Sequence, residues 1–403
     1  MVAADEATQG PSTLRLPRTV VLLGLTSLFT DVGTEMIFPL LPVFLVATLG
    51  AGPAYLGLVE GAANTVASLL KLVSGVIADY TRRRKPLVLV GYAIASATRP
   101  FVALATQPWH VLAVRLTDRV GKGLRSSPRD ALIADAAGNR AGRAFGFHQA
   151  MDNVGAVVGP LLATGFVAFG LSVRNVFWIA VIPGAIATAL VVAVREPAPA
   201  PAPKAAPVDA SAAVPSTRSV LTPTLTSYLA ILFLFSLGNS SDAFLLLRAS
   251  TLGLTTAQIP VLWSVHNLSK VLWAYLGGAA ADRVPHAHLI ASGWLVYAVV
   301  YLGLGRATAA WQVWGLFVLY GIFYGLTEPV EKALVKELVR PEQRGRAYGA
   351  YNFIVGVTSL PAGLITGAAW KAWGATVALE VGAGLAGVAG VGLLAWDASR
   401  RRA

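Results

Sequence analysis

Uncharged stretches of membrane-crossing length recur along this chain. Residues 36–59, 175–194, 219–241, 249–269, 284–305, 307–327 and 347–370 contain no Asp, Glu, Lys or Arg, and a bilayer crossing needs about 20 mostly apolar residues. Apolar stretches broken by isolated charges fill the places between them. The pattern predicts helices near 19–48, 54–79, 86–106, 109–136, 143–170, 174–194, 223–247, 255–281, 286–305, 311–338, 346–369 and 373–396. The expected class is an all-α integral membrane protein with twelve transmembrane helices.

Composition sharpens this reading. Of the 403 residues, 55% are hydrophobic and 13% charged, whereas soluble domains carry about a quarter charged residues. Twelve spans leave no room for a large soluble catalytic module. The net charge of +12 would suggest nucleic acid in a soluble protein. Here it sorts by topology. With both termini in the cytoplasm, 19 basic residues fall inside, from Arg15 and Arg18 to Arg400, Arg401 and Arg402, and only Arg174, Arg306 and Lys371 fall outside. That is the positive-inside bias of a multi-pass protein of the cell membrane, and it removes the case for a nucleic-acid partner.

The division follows: an N-terminal cytoplasmic tail at 1–18, a six-helix bundle at 19–194, a linker at 195–222, a second bundle at 223–396 and a basic tail at 397–403. The linker includes PAPAPAPKAAPVDASAAVP, a composition that forms no packed core. The N-terminus lacks the pattern of a cleaved signal peptide. The two halves also repeat. Gly75-Val-Ile-Ala-Asp79 matches Gly278-Ala-Ala-Ala-Asp282, Gly142-Arg-Ala-Phe-Gly146 matches Gly345-Arg-Ala-Tyr-Gly349, and Asn64 matches Asn267, all at an offset of 203 residues. Two parallel repeats place a site at their interface near the bilayer midplane, as in secondary transporters. A chain that holds both halves needs no second copy to form a pathway, so a monomer is expected.

These motifs resemble the major facilitator superfamily over about 19–396. Gly75-x-x-x-Asp79-Tyr-Thr-Arg82-Arg83-Arg84 is similar to the family's gating loop, with Arg82 in place of the usual glycine and Tyr80 in place of the first arginine. Gly278-x-x-x-Asp282-Arg283 mirrors it and then diverges. Arg115 with Gly121 and Gly123 stands where the family has a cavity arginine. Gly146, Gly155, Gly159-Pro160 and Ala163 are similar to the family's antiporter pattern, with alanine in the last place. Thr117 to Asp135 resembles the TDRxGKGxRxxPRDALIAD segment of a drug-efflux-like subgroup. The resemblance implies gate roles for Asp79, Arg83, Arg84, Asp282 and Arg283. Gly155, Gly159 and Pro160 have the simpler role of close helix packing and a bend.

Charges inside spans are costly and mark candidate sites. In the fourth predicted span Arg115, Asp118, Arg119, Lys122, Arg125 and Arg129 recur at helical steps and share a stripe. They either line an aqueous cavity and contact solute or form salt bridges that hold helices and gates. The equivalent stripe on the tenth span reads Tyr320, Tyr324, Glu328 and Glu331, so the cavity is expected to be basic on one wall and acidic on the other, with packing between helices as the alternative role of Tyr320 and Tyr324. Arginine forks suit carboxylate- or phosphate-bearing solutes. Asp31 and Glu35, at i,i+4 in the first span, form a close carboxylate pair out of water where a proton can be held, and are the first choice for proton coupling. Their alternative role is permanent neutralisation of the fourth-span cations. Glu60, Asp152, Asp242 and Glu380 are weaker candidates.

His148 and Asp152 supply two potential metal ligands where a site needs three or four, and the chain has no cysteine. No phosphate loop or nucleophile elbow occurs. No enzyme, metal or cofactor is expected. The reading is a proton-coupled antiporter exporting a small organic solute by alternating access. The alternatives are a symporter or uniporter for an anionic metabolite, and a membrane receptor that binds solute without moving it.

Overall fold

A computed structural model describes residues 16–81, 84–137, 141–196, 222–281, 283–340 and 343–402. All regular structure among them is helical. Helix α1 (Arg18–Ile37) gives way to a 3-10 turn at Phe38–Leu40, a single turn α2 (Leu41–Val43) and a π turn at Phe44–Thr48. Pro39 and Pro42 cause this, since each lacks the amide that would continue the ladder. There follow α3 (Pro53–Thr81), α4 (Lys85–Thr98), α5 (Pro108–Ala137), α6 (Ala141–Ala168), α7 (Val173–Ile179) and α8 (Val181–Ala193). After the linker come α9 (Pro223–Gly238), α10 (Ala243–Thr251), α11 (Gln258–Ala281), α12 (His286–Arg306), α13 (Ala310–Leu338) and α14 (Arg344–Arg400).

Nine helical segments among the described residues are long and apolar enough to cross a membrane. Most predicted spans lie within a few residues of an observed helix. The 223–247 span differs: it is two helices, α9 and α10, separated by Asn239–Asp242. Gly-Asn-Ser-Ser-Asp is turn chemistry, and irregular backbone at membrane depth is stable where it lines a cavity. The spans expected at 346–369 and 373–396 run together in α14, interrupted at Gly374, whose φ of 87° suits glycine. Gly155 and Gly159 let α6 close on α1: a Cβ at Gly155 would stand 2.7 Å from the Leu28 carbonyl, and one at Gly159 2.6 Å from that of Val32.

Two seams join the halves. In one, α3 meets α14 backbone to backbone at Gly57 and Gly363, Gly61 faces Ser359 and Leu360, and the Thr65 hydroxyl donates to the Gly356 carbonyl at 2.8 Å. In the other, α6 meets α11: Thr164 donates to the Ala257 carbonyl at 3.1 Å, Ser264 to Val157 at 3.0 Å and Asn267 to Ala156 at 3.2 Å. The 203-residue offset maps one seam onto the other, since it takes Gly61 to Ser264 and Ala156 to Ser359.

One end of the bundle carries Arg84, Lys85, Arg340 and Arg400 and is the basic end. The Gly57–Gly363 and Thr164–Ala257 contacts lie toward the opposite end. Leucine at position 57 or 363 is expected to wedge that end open. Ala54→Cys, the sole cysteine in such a chain, is then expected to become reactive toward an impermeant maleimide in the Gly363→Leu background. Equal reactivity with and without the leucine would remove the seam as a closure.

Candidate functional site

A cavity of about 370 Å³ lies between the halves at mid-depth. Its first-half wall is built from Asp31, Glu35 and Phe38 of α1 and the turn after it, Glu60 and Asn64 of α3, Arg99 after α4, and Arg119, Lys122 and Arg125 of α5. Its second-half wall is the Asn239–Asp242 break together with Trp263, Tyr324 and Ser359. The breaks at Phe38 and Ser241 are 203 residues apart, so both halves interrupt a helix at the equivalent place beside the cavity. Paired interruptions of this kind mark binding sites in repeat-built transporters.

The α5 stripe divides in two. Arg115 forms a forked pair with Glu60, with its Nη2 2.7 Å from both carboxylate oxygens, and both side chains are buried. Asp118 accepts from Arg99 Nε at 2.9 Å, and Arg99 Nη1 also donates to the Thr30 carbonyl at 3.1 Å. Arg129 pairs with its neighbour Asp130 at 2.8 Å. Arg115, Asp118 and Arg129 are therefore held in ion pairs and are not in the cavity lining, whereas Arg119, Lys122 and Arg125 face the cavity. One stripe thus holds both paired residues and cavity-lining ones.

The acidic wall is also redistributed. Tyr324 is at the cavity, where its hydroxyl donates to Asp242 at 2.8 Å, as does that of Tyr320. The Lys270 ammonium lies over the Tyr324 ring, 4.4 Å from its centroid. Glu328 faces a smaller cavity of about 240 Å³ nearer the basic end, which it shares with Tyr324, Lys270 and Lys332. Glu331 is enclosed in the second half, accepting from Trp294 Nε1 at 3.2 Å and the Tyr351 hydroxyl at 2.6 Å. It is not in the lining of either cavity.

Asp31 and Glu35 both line the central cavity. Glu35 accepts from Trp263 Nε1 at 2.7 Å, a hydrogen bond between the two halves. Arg84 pairs with Asp135 at the basic end, and its amide donates to Glu196; Arg283 is exposed. Arg83, Asp282 and the Asp79 side chain lie outside the described residues. His148 and Asp152 are 3.5 Å apart, and no group of three potential metal ligands converges among the described residues.

Sequence reasoning missed Arg99, Trp263 and the Asn239–Ser241 backbone. Arg99 was legible as a lone charge before Pro100 inside the predicted 86–106 span. Trp263 carried no signal that separates it from the other nine tryptophans. Asp242→Asn is expected to keep one tyrosine hydrogen bond and to reverse the other, its amide NH2 donating to that hydroxyl, while removing a charge from the cavity wall. The variant should therefore retain native thermal stability and alter solute affinity, which a melting curve and a binding isotherm would separate.

A family model for the Major Facilitator Superfamily matches residues 23–360 and 243–402. An uncharacterized MFS-type transporter of Methanocaldococcus jannaschii is 30% identical over 363 residues, 88% of this chain and 89% of that one. The multidrug resistance protein MdtH of Photorhabdus laumondii subsp. laumondii is 30% identical over 139 residues, 34% of each chain. A crystal structure of the nucleoside transporter NupG superposes with a TM-score of 0.71 at 16% identity, covering 94% of this chain and 98% of that one. At that identity the likeness is one of fold.

Proposed function

The chain belongs to the major facilitator superfamily and is a transporter rather than an enzyme, and from that premise we propose a proton-coupled carrier of a small organic solute that works by alternating access. The observation that carries the proposal is the mid-depth cavity walled by both halves, where α5 cations face the α1 carboxylates. The moving units are the six-helix bundles 19–194 and 223–396, joined by 195–222. Twelve crossings follow if α5 and α11 are added to the nine apolar segments and α14 is divided at Gly374. Arginines and lysines gathered at one end support a cell-membrane orientation with that end and both termini in the cytoplasm. The seam contacts toward the opposite end then support an inward-facing state. Asp79, Arg83, Arg84, Asp282 and Arg283 are assigned to the cytoplasmic gate, and one chain forms the pathway.

Protons act through Asp31 and Glu35. Glu35 is the better placed, because its bond to Trp263 joins the halves and a change in its charge bears directly on that contact. Two senses of coupling have support. The likeness to MdtH over a third of the chain favours export in exchange for protons. The unpaired cations in the cavity favour an anion moving together with protons, and this is the sense the geometry supports best. The Gly155–Gly159 packing does not choose between them, because it only brings α6 against α1.

The test is a thermal-shift ligand screen on purified protein, followed by flux in proteoliposomes. Uptake of a hit that responds to an imposed proton gradient is expected. A hit that binds tightly and never crosses would make this a receptor and end the transport reading.

A further inference from the structure

Arg119, Lys122 and Arg125 stand on successive turns of α5 and face one volume. Among the described residues none of the three is in an ion pair, whereas Arg99 and Arg115 nearby each hold a carboxylate. Arg119 is 7% exposed and Arg125 5%. Arg119 Nε and Arg125 Nη1 have no hydrogen-bond partner, and the Arg125 guanidinium rests on the Tyr92 ring at 4.2 Å. A buried guanidinium with unused donors is expensive in a membrane interior. Two of them flanking a lysine make a pocket for a planar, multiply accepting anion, for which the arginine fork is matched.

Arg119 is faced by Asp118 and Glu60, Arg125 by Asp118, and Lys122 by Asp31 and Asp118; with Asp118 and Glu60 held by Arg99 and Arg115, the α1 carboxylates are the ones left to exchange charge. Asp31 is faced by Lys122, Arg125 and Arg129 of α5 and by Asp152 of α6. Glu35 is faced by Asp31, by Lys122 and by Lys270 of α11. Arg99, Glu60 and Asp242 line the same cavity, with Arg99 and Glu60 already committed to Asp118 and Arg115. An ionised Asp31 or Glu35 and an incoming anion thus compete for one positive field. A proton on either carboxylate releases that field to the anion.

We infer that the solute is an organic anion whose carboxylate or phosphate binds Arg119, Lys122 and Arg125, and that anion binding and protonation of Asp31 and Glu35 promote each other, so that both cross in the same direction. The inference rests on the transport reading above. Phe38 and Trp263, one from each half with ring centroids 5.2 Å apart, form the apolar part of the wall and suit a compact ring on the anion. Thermodynamic linkage sets the scale: one proton taken up with the anion raises its affinity by up to about tenfold for each unit fall in pH.

The test uses purified full-length protein with benzoate and phenyl phosphate as probes and benzamide and benzylamine as matched neutral and cationic controls, each at millimolar concentration. Thermal shift and binding isotherms are read in mildly acidic and mildly alkaline buffer. Benzoate or phenyl phosphate is expected to stabilise the protein, more strongly in acid, with proton uptake from weakly buffered solution. Glu35→Gln should bind the anion in alkali with the affinity that the native protein reaches only in acid. Arg119→Gln should abolish binding. Arg119→Lys, which keeps the charge without the fork and covers the case that the glutamine variant fails to fold, should weaken it about tenfold.

Preference for benzylamine, anion binding indifferent to pH, proton release on binding, or no binding of either anion would overturn the inference. So would native affinity in Arg119→Lys. Proton-linked binding without flux in proteoliposomes would instead remove the transport reading and leave the anion site standing. Gradient-driven flux of an amine would keep transport and remove the anion.

Discussion

Asp31→Asn and Glu35→Gln are each expected to reduce solute accumulation driven by a proton gradient to the level of empty vesicles, while the protein still folds and inserts. The reason is structural. Both side chains line the central cavity, and Glu35 takes a hydrogen bond from Trp263 of the other half at 2.7 Å. A neutral amide can still accept that bond, so the fold survives, but it cannot change charge between the two access states. The equilibrium then no longer feels the gradient, since a proton shifts a two-state balance only by its difference in affinity for the states. Exchange of labelled for unlabelled solute, which needs no gradient, should persist. Undiminished accumulation in both variants would remove these carboxylates from the mechanism.

The second large effect concerns stability. Glu60 and Arg115 are buried, 1% and 5% exposed, and joined through a fork. Removing one partner, as in Glu60→Leu or Arg115→Met, leaves the other charge without its counter-ion and should cost about 3–5 kcal/mol. Replacing both, with Glu60→Leu and Arg115→Met together, should recover most of the loss, because two apolar groups of similar volume need no compensation. Thermal unfolding of the four proteins in one detergent completes the cycle. If Arg115→Met melts with the native protein, the pair is not a structural clamp, and Arg115 returns to the candidates for solute contact.

The all-helical, multi-span character was legible because hydrocarbon thickness imposes a length that hydropathy reports directly. Helix α5 was legible for another reason. It is too charged for its composition to mark it as a crossing, and only the regular order of helices and the 203-residue repeat gave it a place. Within the site, the α5 stripe and the Asp31–Glu35 pair were visible as helical spacing, because i,i+3 and i,i+4 relations follow from the backbone alone. The partner each charge takes was not visible. Glu60 looked like one weak acid among several and holds Arg115; Arg99, inside the predicted 86–106 span, was not singled out and holds Asp118. Such pairings depend on which helix faces lie together, a tertiary relation that no local period encodes. Glu331 shows the same limit. Its helical step aligned it with Tyr324, yet Trp294 and Tyr351 fold it into the second bundle.

The coincidence of the two seams under a single shift has an evolutionary consequence. A duplicated six-helix ancestor pairing with its own copy would already have possessed the mechanical joint, whereas its two cavity walls would have been identical. In the present chain α5 presents guanidinium groups, whereas the facing wall presents the Tyr324 phenol and the Asp242 carboxylate that it bonds. Under that history, polarity across the cleft is the feature in which the two copies have diverged, while the joint is the feature they still share.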